Sequence, residues 1–370
     1  MIKSIKRQII VKEAVMNGYY NDYSNINFET LEERQNKIKK QRNLFSRVFL
    51  ALAAYVIITS VAVMGIYEVL YRILSESQYA SFEQSPIWSF VLNLGGQYLF
   101  GFPAFLLLLI GTKTASKTKK KTLTGTEFFL LIAMAETLMY AGSFIGNFVN
   151  NFIGGMIGRL PENNIAETVS TTPVWLIFIG IVILAPIFEE LIFRKLMIDR
   201  LSVYGDKIAI IFSSVAFGLM HGNLYQFFYA ALLGALFGYV YTRTKNIKYT
   251  MFMHMIVNFL GSIAALPVEK AINELYEILE VAALGQPINI LALIVCGSIM
   301  LIYTALQYGF IIAGIIAMVQ YTKSKKFAIN PDREVYLPDN EIVKHGIVNV
   351  GAISFIAISV LSMITSIIFG

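Results

Sequence analysis

The chain has 370 residues, 56% of them hydrophobic and only 15% charged, with a net charge of +6 from 30 basic and 24 acidic residues. A soluble domain carries about 25% charge, so the composition excludes an ordinary soluble protein. The basic residues flank apolar runs instead of forming one basic face, which gives no support to nucleic-acid binding.

The first forty-odd residues are polar and of mixed charge, and show no cleavable signal peptide. Residues 1–44 are read as a cytoplasmic segment, partly helical and outside the membrane. The first apolar run starts near Val48. From there the apolar runs are long and continuous rather than alternating. Each span in hydrocarbon must satisfy its own backbone hydrogen bonds, so these runs predict helices and not barrel strands. Candidate spans lie at 47–71, 87–111, 127–151, 173–195, 207–222, 225–243, 249–267, 289–321 and 346–369. The run from Asn289 to Tyr321 is long for one span and is read as a single tilted helix, because splitting it would break the charge alternation.

That alternation sets the topology. Basic clusters occur at Lys37 to Arg47, Lys113 to Lys121, Arg194 to Lys207, Arg243 to Lys248 and Lys323 to Lys326. They occupy alternate connections, which predicts that all of these are cytoplasmic, with the N-terminus inside and the C-terminus outside a cell membrane. Trp88 and Trp175 sit near span starts, as interface anchors do. Gly218-xxx-Gly222 and Gly234-xxx-Gly238 predict close helix contacts. Cys296 is the single cysteine and lies in an apolar run, which excludes an intramolecular disulfide and a cysteine metal cluster. The expected fold is all-α: a polytopic transmembrane helix bundle of about eight to nine spans, with a site in a polar cavity between helices. The expected divisions are 1–44, an N-terminal group of spans at 45–172, a site-bearing core at 173–267 and a C-terminal transmembrane region at 268–370.

The candidate site comes from polar residues inside these apolar runs, where a carboxylate is costly and a functional hypothesis by default. Glu189 and Glu190 close one run, with Arg194 four residues on. On a helix Glu190 and Arg194 share a face, while Glu189 points about 100° away. This spacing predicts that Arg194 holds Glu190 ionised while Glu189 is left for chemistry. His221 ends the next run and can orient a water with Glu189. His254 and Asn258 share one face of a later span. They can stabilise an oxyanion, or His254 can ligate a metal. Carboxylates, histidines and an asparagine on three apolar segments share one sensible location, a cavity between helices around a water-sized space. A base, a water and oxyanion donors there describe a hydrolase site. Neither His-Glu-x-x-His nor a phosphate-binding Gly-x-x-x-x-Gly-Lys occurs.

Glu189-Glu190-x-x-x-Arg194, Phe217-x-x-x-His221 and His254-x-x-x-Asn258, in this order, resemble the CPBP family of intramembrane proteases. That family is also called Abi and includes the type II CAAX prenyl endopeptidases. The resemblance covers roughly residues 173–265, and the glycine-rich stretch Leu233 to Tyr239 is similar too. It implies an intramembrane endopeptidase in which Glu189 activates water, His221 holds it, His254 and Asn258 form the oxyanion hole, and Glu190 and Arg194 support the geometry. The substrate it implies is a membrane-associated peptide or protein. The family has also been read as metal-dependent. Here that alternative would place Zn2+ on Glu189, Glu190, His221 and His254; the metal-free mechanism is favoured. Ile, Asn and Lys richness points to a low-GC bacterial source. Two other classes compete: a proton-coupled transporter, against which stands the absence of an internal repeat, and a non-catalytic immunity or binding membrane protein.

Overall fold

Long helices form because apolar runs are bounded by residues that cap them. Thr30 accepts from the Glu33 amide while the Glu33 side chain accepts from the Thr30 amide, a capping box that opens α1 (Leu31–Ile73). Thr124 and Glu127 do the same for α4 (Gly125–Ile157). The computed structural model describes residues 30–115, 121–161, 163–329 and 331–369. The reading of the N-terminal segment therefore lies outside the described residues up to 29, as do Lys117, Lys119 and Lys120.

After α1 come the short α2 (Glu76–Glu83) and α3 (Pro86–Leu109), which contains a π-turn at Gly96–Gly101. Then follow α4, the short α5 (Asn164–Thr171), α6 (Val174–Tyr204), α7 (Asp206–Met220), α8 (Leu224–Thr244), α9 (Ile247–Gly261) and α10 (Leu266–Ala283). The chain ends in α11 (Ile290–Lys323), α12 (Asp339–Ile347) and α13 (Val350–Phe369). No strand occurs among the described residues. Among the described residues eight helices are long and apolar enough to cross a membrane, and the chain is a multi-pass helical membrane protein. The ninth predicted span is α7, whose 15 residues reach about 22 Å, less than the ~30 Å of hydrocarbon. The run from Asn289 is one helix, and α1 runs straight through residue 44.

The basic connections gather at one end. Arg47 donates to the carbonyls of Leu108 and Ile110, and the Ala115 amide donates to Asp199. The Lys121 amide donates to the Thr244 carbonyl, and Arg243 and Lys326 both meet Glu127. At the opposite end Tyr225 donates to the Pro161 carbonyl and Arg159 to that of Ile367. Trp88 and Trp175, 49% and 62% exposed, both sit at this opposite end, as rings at a membrane interface do.

Small residues let the helices approach. A Cβ on Gly142 would collide with the Tyr229 backbone, which locks α4 on α8. A Cβ on Gly234 would lie 2.9 Å from the Ser214 Cα, and one on Gly218 2.7 Å from the Phe227 carbonyl, which locks α8 on α7. Gly222 of the other predicted pair lies beyond the end of α7 with φ +65°, a left-handed conformation that suits glycine, and a Cβ there would collide with Ser362 of α13.

Candidate active site

The carboxylate pair sits in the one ordinary α-helical turn at the middle of α6. Residues Phe178–Leu184 and Leu191–Ile198 on either side are π-helical, and Ala185–Glu190 between them is α-helical. Pro186 occupies the start of that turn, where its missing N–H breaks the α-ladder. Such wide turns recur at functional sites.

Glu190 and Arg194 are both fully buried, with Nε and Oε2 3.2 Å apart. The approach is close enough for an ion pair but misses hydrogen-bond geometry. No guanidinium nitrogen finds a hydrogen-bond partner among the described residues. The guanidinium instead faces two aromatic rings, 4.5 Å from the Phe217 centroid and 5.4 Å from that of Phe237, a desolvated cation–π arrangement. The other Glu190 oxygen, Oε1, lies 3.0 Å from His254 Nδ1. Glu190 is thus held from two sides and does not line the cavity.

Glu189 turns the other way. Its side chain keeps 29% of its exposure, and its Oε2 stands 3.6 Å from His254 Nε2. His254, 4% exposed, therefore lies between the two carboxylates, with one ring nitrogen directed at each. The Glu190 contact is a hydrogen bond; the Glu189 separation is too long for one.

His221 is fixed by its own helix. Its Nδ1 lies 2.8 Å from the Phe217 carbonyl. A carbonyl can only accept, so Nδ1 carries the proton and Nε2 of the neutral ring is an acceptor. Asn258 donates through Nδ2 to the Ile181 carbonyl at 2.9 Å, in the first π-helical stretch. Of its two amide hydrogens one is committed there.

Glu189, His221, His254 and Asn258 all line one cavity of about 930 Å3. This is far more than the expected water-sized space, and it lies at the upper end of the range for ligand pockets. Its walls come from every helix from α2 to α10. The sequence reading passed over Gln97, Tyr98, Gln226 and Tyr229, which also line it. Tyr98 stacks flat on Phe188 with centroids 4.1 Å apart, and Gln97 accepts from Tyr55. The available signal was a glutamine inside an apolar run. One more buried carboxylate, Glu136 of α4, lies outside the cavity lining, and its Oε1 has no hydrogen-bond partner among the described residues.

Residues 171–260, from the end of α5 through almost all of α9, match the family described as type II CAAX prenyl endopeptidase Rce1-like. The matched stretch contains all six residues singled out above and is similar to that family. A 103-residue stretch is 34% identical to a Bacillus subtilis (strain 168) protein named "Putative membrane peptidase YdiL". That stretch is 27% of this chain and 41% of the relative, so less than half of the relative is matched. No solved structure matches the chain.

Proposed function

We propose that the protein is an intramembrane endopeptidase that hydrolyses a peptide bond of a membrane-associated peptide or protein. The observation that carries this reading is the convergence of Glu189, His221, His254 and Asn258 on one cavity, while Glu190 and Arg194 pair behind it. Likeness to the Rce1-like family and to a relative named as a membrane peptidase supports the same class.

In this mechanism a water in the cavity donates a proton to the Glu189 carboxylate, and its oxygen attacks the scissile carbonyl. His221 Nε2 accepts the water's other hydrogen and so aims its lone pair. Negative charge then develops on the carbonyl oxygen. His254, held by Glu190 through Nδ1, and the uncommitted amide hydrogen of Asn258 are the donors placed for it. When His254 is doubly protonated, its Nε2 donates toward the cavity. The proton on Glu189 passes to the leaving amine as the C–N bond breaks, which restores the carboxylate. Glu190 and Arg194 act at one remove, as positioning residues.

A zinc-dependent version fits these residues less well. Three of the four candidate ligands keep a donor directed at the cavity, but Glu190 is taken up by Arg194 and His254. Among the described residues no three His, Cys, Asp or Glu side chains are grouped as metal ligands. No step here requires a metal. We place the protein in a bacterial cell membrane with the basic end cytoplasmic.

The test compares peptide termini in membranes containing the normal protein or Glu189→Ala at matched expression. Loss of a general base costs about 10²–10⁴-fold in rate, so termini made by the enzyme should vanish in the variant. If the same termini persist, or if a cellular phenotype survives the substitution with no change in termini, hydrolysis at Glu189 is refuted.

A further inference from the structure

The charged rim residues of the cavity lie at one end of the bundle, and its lining is electrically one-sided. Beyond Glu189 its charged residues are Glu83 at the end of α2, Glu167 on α5 and Glu269 in the first turn of α10. Among the described residues no lysine or arginine lines it. All three rim carboxylates belong to the end opposite the basic connections. None of the residues that knit the basic end together, such as Arg47, Asp199, Arg243 and Lys326, reaches the cavity. The basic residues of the rim's own end, Arg72, Arg159 and Lys270, stay outside the lining as well. Between rim and floor the walls are mixed: Phe90, Leu94, Ile181 and Val257 are apolar, and Asn93 and Gln97 are polar. A route with an acidic mouth, a mixed wall and a peptidase-like floor suits an extended segment bearing positive charge beside an apolar stretch.

We propose that substrate enters from the face opposite the basic end, the extracytoplasmic side, and that the mouth selects peptides carrying lysine or arginine next to their apolar segment. The substrate class rests on the endopeptidase reading above; the direction of opening does not.

Two measurements on the full-length chain test this without requiring turnover. In the first, Cys296→Ser removes the single cysteine, and Gln84→Cys at the mouth or Thr114→Cys at the basic end is added. Intact cells are treated with a membrane-impermeant maleimide. Gln84→Cys should label in intact cells and Thr114→Cys only after permeabilisation; the reverse pattern overturns the entry direction. In the second, the Glu189→Gln protein is titrated with a short fluorescent apolar peptide flanked by two lysines, and with the same peptide flanked by two glutamates. The lysine peptide should bind about tenfold tighter, a gap within the range that charge steering gives. The gap should shrink with added salt and collapse in Glu83→Gln/Glu167→Gln/Glu269→Gln. Equal affinities, no binding of either peptide, or a gap unchanged in the triple variant each overturn the selection. Should the chain hydrolyse nothing, labelling and binding still report on this inference separately.

Discussion

At the scale of single residues, the site divides its two adjacent glutamates by burial. Glu190 is enclosed with Arg194, and removing one member of such a pair strands a charge away from water, at a cost of about 3–5 kcal/mol. Glu190→Gln and Arg194→Leu should therefore each lower the melting temperature of the detergent-solubilised protein sharply. The double variant should recover part of the loss, because the stranded charge is gone. Losses that simply add would show that the pair is not coupled. Arg194→Lys should also fail to restore the normal protein, since an ammonium cannot cover the Phe217 and Phe237 rings as a planar guanidinium does. A second prediction concerns metal: an exhaustive chelator treatment should leave the rate of peptide cleavage within about twofold of the untreated enzyme. A loss restored by Zn2+ alone would put a metal among Glu189, His221 and His254 and remove the water mechanism proposed above. All six candidate residues stood out in the sequence, because polar groups in an apolar run have few other reasons to be there, and four of them line the cavity. The opposite directions taken by Glu189 and Glu190 were legible as well, from helical angle alone. What was not legible is the ring of His254 standing between both carboxylates, because that depends on how α9 is rotated against α6.

At the scale of elements, the site depends on how closely α4, α7 and α8 approach. Gly142 meets the Tyr229 backbone and Gly234 meets Ser214 Cα, and backbone cannot move aside as a flexible side-chain tip can. Gly142→Ala and Gly234→Ala should each cost about 1–3 kcal/mol through overpacking. Gly142→Ala should reduce activity further, because it pushes on the helix that carries Gln226 and Tyr229 into the cavity. The check is to compare both variants with Gly155→Ala on the exposed side of α4, where a Cβ meets nothing within 4 Å; equal behaviour of all three would reject the packing argument. The Gly234-xxx-Gly238 spacing announced its contact in advance. Gly142 did not stand out, because its partner lies 87 residues further on. The π-helical stretches of α6 were hidden for a different reason. Phe178–Leu184 is a plain apolar run, and nothing in such a run distinguishes an i→i+5 ladder from an i→i+4 one. The wide turns follow from Pro186 and from the packing around α6, and Asn258 closes on one of them at Ile181.

At the scale of the whole molecule, the stretch similar to the Rce1-like family does not enclose the cavity by itself. Its match ends at residue 260, whereas Phe90, Gln97 and Tyr98 of α3, Met139 and Ser143 of α4, and Leu266 and Glu269 of α10 supply much of the wall. The outer spans are in turn tied to one another. Gln41 donates to the Ile342 carbonyl, Arg34 pairs with Glu341, and the Gly351 amide donates to Ser46. Phe45, Phe49, Phe212 and Phe355 pack together beneath these contacts. The first and last described spans thus close on α7 at the basic end. The sequence could not reveal this, because the N- and C-terminal thirds carry no motif of their own, and these contacts join residues some 300 positions apart. The arrangement predicts that residues 171–260 produced alone, even if inserted in a membrane, leave Glu189 facing lipid rather than a polar cavity. A carboxylate in that setting costs several kcal/mol. The fragment should be degraded rapidly and should release no new peptide termini. Co-expression of the flanking segments 1–170 and 261–370 should restore both its lifetime and its activity in part. An isolated core that cleaves peptides as fast as the full chain would mean that the outer spans are not walls of the site, and the cavity described here would then owe nothing to them.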